Sequence, residues 1–134
     1  MSLKNFGPAN LNLIIFGIPI DEFGDSDPAV SVEDMEQRST LKRGIGGTSL
    51  RLDNRTRPKR LTLNIMPDSD QGRQILAAEK SGADATAVLT HTGATEKLAL
   101  YDGVLVTRGT MGRGGKTNIT DDQFVFEFAD SEEI

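Results

Sequence analysis

The sequence predicts a mainly β fold: an antiparallel two-sheet sandwich or barrel of about eight short strands with one flanking α-helix. Three observations carry this. Branched and aromatic residues recur with period two in short runs, as in Leu61-Thr62-Leu63-Asn64-Ile65 and Phe124, Phe126, Phe128. Glycine, proline, asparagine and aspartate punctuate those runs at hairpin spacing. Only one stretch, after Pro67, carries helix signals at both ends.

That stretch organises the rest. Leu61, Leu63 and Ile65 place three apolar side chains on one face of a strand, and Pro67 stops it. Asp68 is the expected N-cap, with Gln71 three residues on as in a capping box and Asp70 adding negative charge to the first turn. Ile75 and Leu76 form the stripe that packs the helix onto the sheet, and Gly82 supplies the left-handed residue that ends it.

In chain order, Leu11 to Ile20 reads as a hairpin or bent strand about Phe16 and Gly17, apolar on both faces and therefore expected to be buried on two sides, in a sandwich or against another subunit. An acidic loop follows from Asp21 to Pro28, then a strand at 29–33 with Val30 and Val32 inward. Residues 35–49 show neither strand alternation nor helix caps and contain Gly44, Gly46 and Gly47, which predicts a long loop whose Leu41 and Ile45 need a partner. Leu50 and Leu52 are expected to point inward. Strands at 85–90, 96–101 and 103–108 are joined by hairpins at His91 to Thr95 and at Asp102-Gly103. A glycine-rich basic loop at about 109–118 precedes the Phe-rich final strand. The 134 residues fit one domain, 1–134.

Composition narrows the chemistry. There is no cysteine, which excludes a disulfide scaffold, a thiol nucleophile and a thiolate metal site. Asn12, Gly17 and Pro19 interrupt the apolar run near the start, so it reads as neither signal peptide nor membrane span. Gly114-Gly115-Lys116-Thr117 imitates the end of a phosphate-binding loop, but Thr110 stands where the first glycine belongs and no helix follows. His91, the only histidine, lacks a patterned nucleophile and orienting carboxylate. The acidic loop lacks the regular oxygen spacing of a calcium site. No catalytic, cofactor or metal residue is assigned, and nothing supports an enzyme.

The charges are sorted. Net charge is −5, yet Arg38 to Arg60 holds eight cations against Asp53 alone, between acidic flanks. Such segregation suits copies that meet head to tail. The basic run lacks interleaved aromatics, since the chain has no tryptophan and one tyrosine, Tyr101, outside it. It therefore reads as a protein contact surface. A solvated face on a monomer and a nucleic-acid-binding β-barrel are the competing readings.

Taken together, these features resemble the small tail tube proteins of contractile-tailed bacteriophages. The matching residues are Leu13-Ile14-Ile15-Phe16-Gly17-Ile18-Pro19-Ile20 followed by Phe23-Gly24-Asp25-Ser26-Asp27; Val30-Ser31-Val32-Glu33; a glycine-rich loop with Arg55 after it; and Leu61 to Ile65 leading through Asp68-Ser69-Asp70 into Ile75-Leu76. The likeness spans Leu11 to about Phe128. It departs at the last strand, where many relatives carry tryptophan and this chain has Phe124 and Phe126. It implies a virion protein made in the host cytoplasm and assembled as stacked hexameric rings, with tail sheath, baseplate and tail terminator as partners. DNA would pass through the lumen. Six copies at −5 each carry −30, and an acidic lumen would not hold phosphates. A tube initiator or terminator, or the tube subunit of a secretion or bacteriocin device, fits the same likeness. Within this reading, Leu41, Arg43 and Ile45 are expected to reach a neighbouring subunit or ring, and Arg51, Arg55, Arg57 and Arg60 to pair with acidic residues of another copy.

Overall fold

A computed structural model of the chain describes residues 11–91, 96–109 and 111–133. Those residues form nine strands and one helix: β1 Leu11–Ile15, β2 Ile18–Ile20, β3 Val30–Asp34, β4 Ser39–Arg43, β5 Ser49–Asp53, β6 Lys59–Ile65, α1 Asp70–Lys80, β7 Ala85–His91, β8 Lys97–Arg108 and β9 Asp122–Glu133. Every strand pairing is antiparallel. Seven strands make one sheet in the order β2-β1-β7-β8-β9-β6-β3, and β4 and β5 make a separate two-stranded sheet. The fold is thus mainly antiparallel β with one helix, as the sequence predicts.

The large sheet curls around its own inner face. Leu61, Leu63 and Ile65 of β6, Phe124, Phe126 and Phe128 of β9, Leu100 of β8 and Leu13 and Ile15 of β1 all face one core and are essentially inaccessible to water. The curl brings distant strands together: the Phe16 ring, in the β1–β2 turn, meets Phe126 edge-on at 6.1 Å. At the ends of the sheet, β2 is three residues long with Pro19 removing one N–H, while β3 has no strand on its outer edge among the described residues.

Three sequence expectations are corrected. First, 35–49 is not one loop. Residues 39–43 form β4, between a bend at 35–38 and a turn from Gly44 to Thr48, with Gly44 N donating to Thr48 O at 2.8 Å and Gly47 at φ 89°. The strand was hidden because neither face of this hairpin is buried, so no apolar period marks it. For the same reason Leu50 and Leu52, expected inward, are exposed.

Second, Asp102-Gly103 is not a hairpin turn. β8 runs straight through it, with Asp102 at φ 53° and a register shift against β7 between Ala85 and Ala87. Asp-Gly serves a bulge as well as a turn, because both need a residue that tolerates positive φ. Glycine at 103 is required by close approach, since a Cβ there would lie 2.3 Å from Cδ1 of Phe128.

Third, the helix cap is Ser69 rather than Asp68. Ser69 Oγ accepts from Gly72 N at 3.1 Å, while Asp68 takes φ 56° and its carboxylate accepts from Arg73 at 2.7 Å. Gln71 is then no longer the capping-box partner. Its Oε1 accepts instead from the amides of Asp21 and Glu22, at 2.9 and 3.0 Å, tying the helix to the loop after β2. Gly82, at φ 79°, closes the helix. Ile75 is fully buried and Leu76 half-buried against the core. Of the expected β7–β8 hairpin joint, residues 92–95 lie outside the described residues.

Replacing Ile75 by Asp buries an unpaired carboxylate and is expected to cost about 3–5 kcal/mol, read as a lower urea midpoint. Replacing Gly103 by Ala forces the Phe128 ring to move and is expected to cost about 1–3 kcal/mol in the same measurement, although only one methyl is added.

Candidate assembly interface

The β4–β5 hairpin stands apart from the barrel as an arm. Its cross-strand pairs are Ser39 with Asp53, Thr40 with Leu52, Leu41 with Arg51, Lys42 with Leu50 and Arg43 with Ser49. Alternation therefore places Leu41, Arg43 and Arg51 on one face and Lys42, Leu50 and Leu52 on the other. All ten strand residues are exposed, Leu41 at 65%, and Ile45 at the tip is fully exposed. Apolar side chains presented to water on both faces of a two-stranded ribbon make the arm the candidate contact surface.

The root of the arm is held by charge. Lys59 continues the inward alternation of β6, so its ammonium is carried to the open end of the barrel and is only 5% exposed. There it pairs with Asp34 at the end of β3 and with Glu133 at the end of β9, the latter at 2.7 Å. Arg38, one residue before β4, bridges the same two carboxylates, reaching Asp34 at 3.0 Å. Hydrogen bonds from Lys59 and Arg38 hold the Asp34 and Glu133 carboxyls below their ordinary range. Burial pushes the Lys59 ammonium down, but hydrogen bonds to Asp34 and Glu133 outweigh it and the net direction is up. On the other side of the root, Asp130 accepts from the amides of Arg57 and Ser131 at 3.0 and 2.8 Å, which lowers its carboxyl as well. Ser131 Oγ donates to Arg57 O at 2.7 Å.

The basic residues singled out from sequence do not act as one set. The Arg43 and Arg55 side chains are exposed and, among the described residues, make no hydrogen bond or ion pair. Arg51 pairs with Asp53 of its own hairpin at 3.6 Å. The Arg57 guanidinium folds onto the carbonyls of Asn54 and Thr56. Arg60 points outward between Glu33 of β3 and Glu127 of β9, at 3.0 and 3.2 Å, so its charge is matched within its own chain. Within the chain, Arg51, Arg57 and Arg60 thus each have a partner of their own, and only Arg43 and Arg55 of the five remain without one among the described residues. The Asp34–Arg38–Lys59–Glu133 cluster was not anticipated. Its one sequence signal is that Lys59 falls in phase with Leu61, Leu63 and Ile65, and an inward lysine requires a carboxylate.

The two ends of the barrel differ. β6 begins at Lys59 beside the arm root and ends at Ile65, which bridges to Phe23 in the acidic loop. Six residue steps of roughly 3.3 Å separate these points by about 20 Å. The loop is fixed at the far end: Asp121 accepts from Ser26 N and Oγ at 2.9 and 2.7 Å, and lies so close to Gly24 that a Cβ there would overlap its carboxylate. Burial raises the Asp121 carboxyl, and hydrogen bonds from Ser26 and Asp25 more than reverse it. Near the same end Asp122 binds Arg113 at 2.7 Å and Arg108 at 3.5 Å, anchoring the glycine-rich loop, while Arg108 lies 4.7 Å over the Phe124 ring. Among the described residues no group of His, Cys, Asp and Glu is placed to hold a metal ion, and no helix is long and apolar enough to cross a membrane.

No protein family matches the sequence, and no curated protein resembles it significantly. The fold does have solved counterparts. The chain is similar to a chain in the anti-feeding prophage tube terminating cap (TM-score 0.62, 11% identity, covering 100% of this chain and 93% of that one). It is similar to one in the sheath/tube terminator of an extracellular contractile injection system, PVC (0.61, 12%, 100% and 99%). A chain of the PVC sheath-tube complex also matches (0.55, 12%, 93% and 88%). At these identities the likeness establishes a shared fold.

The root cluster sets an acid limit. Carboxyls lowered in the folded state stabilise it above their unfolded values, near pH 4, and that contribution disappears as pH falls through the folded values. Amide exchange of residues 39–53 is therefore expected to rise below about pH 4 before the β6–β9 core opens. Asp34→Asn combined with Glu133→Gln is expected to give the same rise at pH 7 and to flatten the pH dependence.

Proposed function

We propose that this chain is a self-assembling structural subunit of a contractile tail, stacking in hexameric rings to form the hollow tube through which DNA passes, with no catalytic role. The observation that carries the reading is the exposed arm, apolar on both faces, set at the opposite end of the barrel from a fixed acidic loop. A surface of one kind at one end and its complement at the other generates an open stack rather than a closed dimer. The shared fold supports the same role, because the matching chains come from tube, cap and terminator assemblies. On this reading the unpaired β3 edge is covered by a neighbouring subunit, the partners are sheath, baseplate and terminator, and the protein resides in the tail after synthesis in the host cytoplasm.

A second reading is a tube terminator, in a phage or a phage-derived injection device. It is favoured by the higher TM-scores of the cap and terminator chains, 0.62 and 0.61, over the 0.55 of the sheath-tube chain. A nucleic-acid-binding barrel is disfavoured by Arg60 and Arg51, whose charges are matched within the chain.

Negative-stain electron microscopy of the concentrated protein separates these. Long tubes with a central hole are expected for a tube subunit and single or paired rings for a terminator. A persistent monomer would sink both, and salt-sensitive retention of DNA on filters would revive the nucleic-acid reading.

A further inference from the structure

The curled sheet does not close on itself, and the seam holds a cavity of about 280 Å³. Leu11, Leu89 and His91 wall it on the β1–β7 side, and Phe23, Pro28 and Val30 on the other, with Asp27 also lining it. The loop that supplies this acidic side is fastened from beneath through its backbone and Ser26, by Gln71 and Asp121. Its Asp25 and Asp27 side chains are exposed and, among the described residues, make no ion pair, although Asp25 also hydrogen-bonds to Asp121. The seam is thus a largely apolar recess beside exposed negative charge, in a loop already held in place.

The chain carries one element of complementary chemistry. At the tip of the arm, Ile45 is fully exposed, and Lys42 and Arg43 close by have no partner of their own. Strands of five residues carry that tip about 16 Å beyond the root, clear of its own barrel. An isoleucine flanked by two cations without an ion pair fits a largely apolar recess flanked by two exposed carboxylates. Each half is incomplete alone.

We infer that the hairpin tip of one copy seats in the seam of the next, Ile45 entering the cavity while Lys42 and Arg43 meet Asp25 and Asp27. This rests on the reading of the chain as a self-assembling subunit and adds which two surfaces meet. The joint is heterologous, so each copy donates at one surface and receives at another. Its ionic part is exposed and screened by salt, whereas the buried isoleucine is not, so moderate salt weakens the joint without abolishing it.

The absence of cysteine makes the contact directly mappable. An Ile45→Cys variant is mixed with an Asp27→Cys variant under mild oxidation and run on a non-reducing gel, with Lys116→Cys in place of Asp27→Cys as control. A crosslinked dimer is expected from the first mixture at least tenfold above the control. Equal crosslinking to Lys116→Cys, or none in either mixture, overturns the inference. Electron microscopy of the same wild-type preparation distinguishes the two levels: tubes or rings without the crosslink remove only the seam, whereas neither assembly nor crosslink removes the parent reading as well. Because both substituted positions are exposed, an unchanged thermal midpoint checks that each variant is folded.

Discussion

Three phenylalanines on one face of β9 are what the rest of the molecule is arranged around. Phe126 receives the Phe16 ring edge-on and stacks on Phe128 at 6.2 Å. Phe128 occupies the space that Gly103 leaves open in β8. Phe124 lies beneath Arg108 and comes within 4 Å of where a Cβ at Gly72 would stand, beside the first turn of α1. One strand thus fixes the curl of the sheet, the position of the β8 bulge and the seat of the helix. A stripe of large rings makes this possible because each buries a large area and constrains its neighbours by shape.

What could be read from sequence follows from burial. The inward faces of β6 and β9 and the helix carry an apolar period because each has a core side, and each was legible; the first hairpin, expected to be buried on two sides, buries Leu13, Ile15 and Ile20 within the chain and leaves Ile14 exposed. β4 was not, since a ribbon exposed on both faces has no reason to alternate. The N-cap moved by one residue because Asp68 and Ser69 are both good caps, and only packing decides between them. Asp102-Gly103 was misread for a similar reason, as positive φ serves a turn and a bulge alike.

The candidate contact surface was legible in the sign of its charge but not in detail. Sequence revealed that positive and negative charge are segregated, and the fold turns that segregation into an arm near one end of β6 and an acidic loop near the other. Strand alternation, however, divides the basic run. Lys59 goes inward to close the arm root, Arg60 goes outward to be matched by Glu33 and Glu127, and only residues beyond the barrel, Arg43 and Arg55 among them, keep an unanswered charge. The carboxylates that answer Lys59 lie 25 residues before it and 74 after it, at separations no local pattern spans.

The arm has an energetic consequence. A solitary two-stranded ribbon is at best marginally stable in water, and this one has ten exposed strand residues and is tethered chiefly by ion pairs and hydrogen bonds at its base. Its ordering therefore draws on whatever covers Leu41, Leu50 and Leu52. Under the proposed role as a self-assembling subunit, folding of the arm and association of copies become linked equilibria, each drawing the other forward as protein concentration rises. A dilute chain is then a poor nucleus, and growth onto an existing array, where the covering surface is already present, is the favoured route.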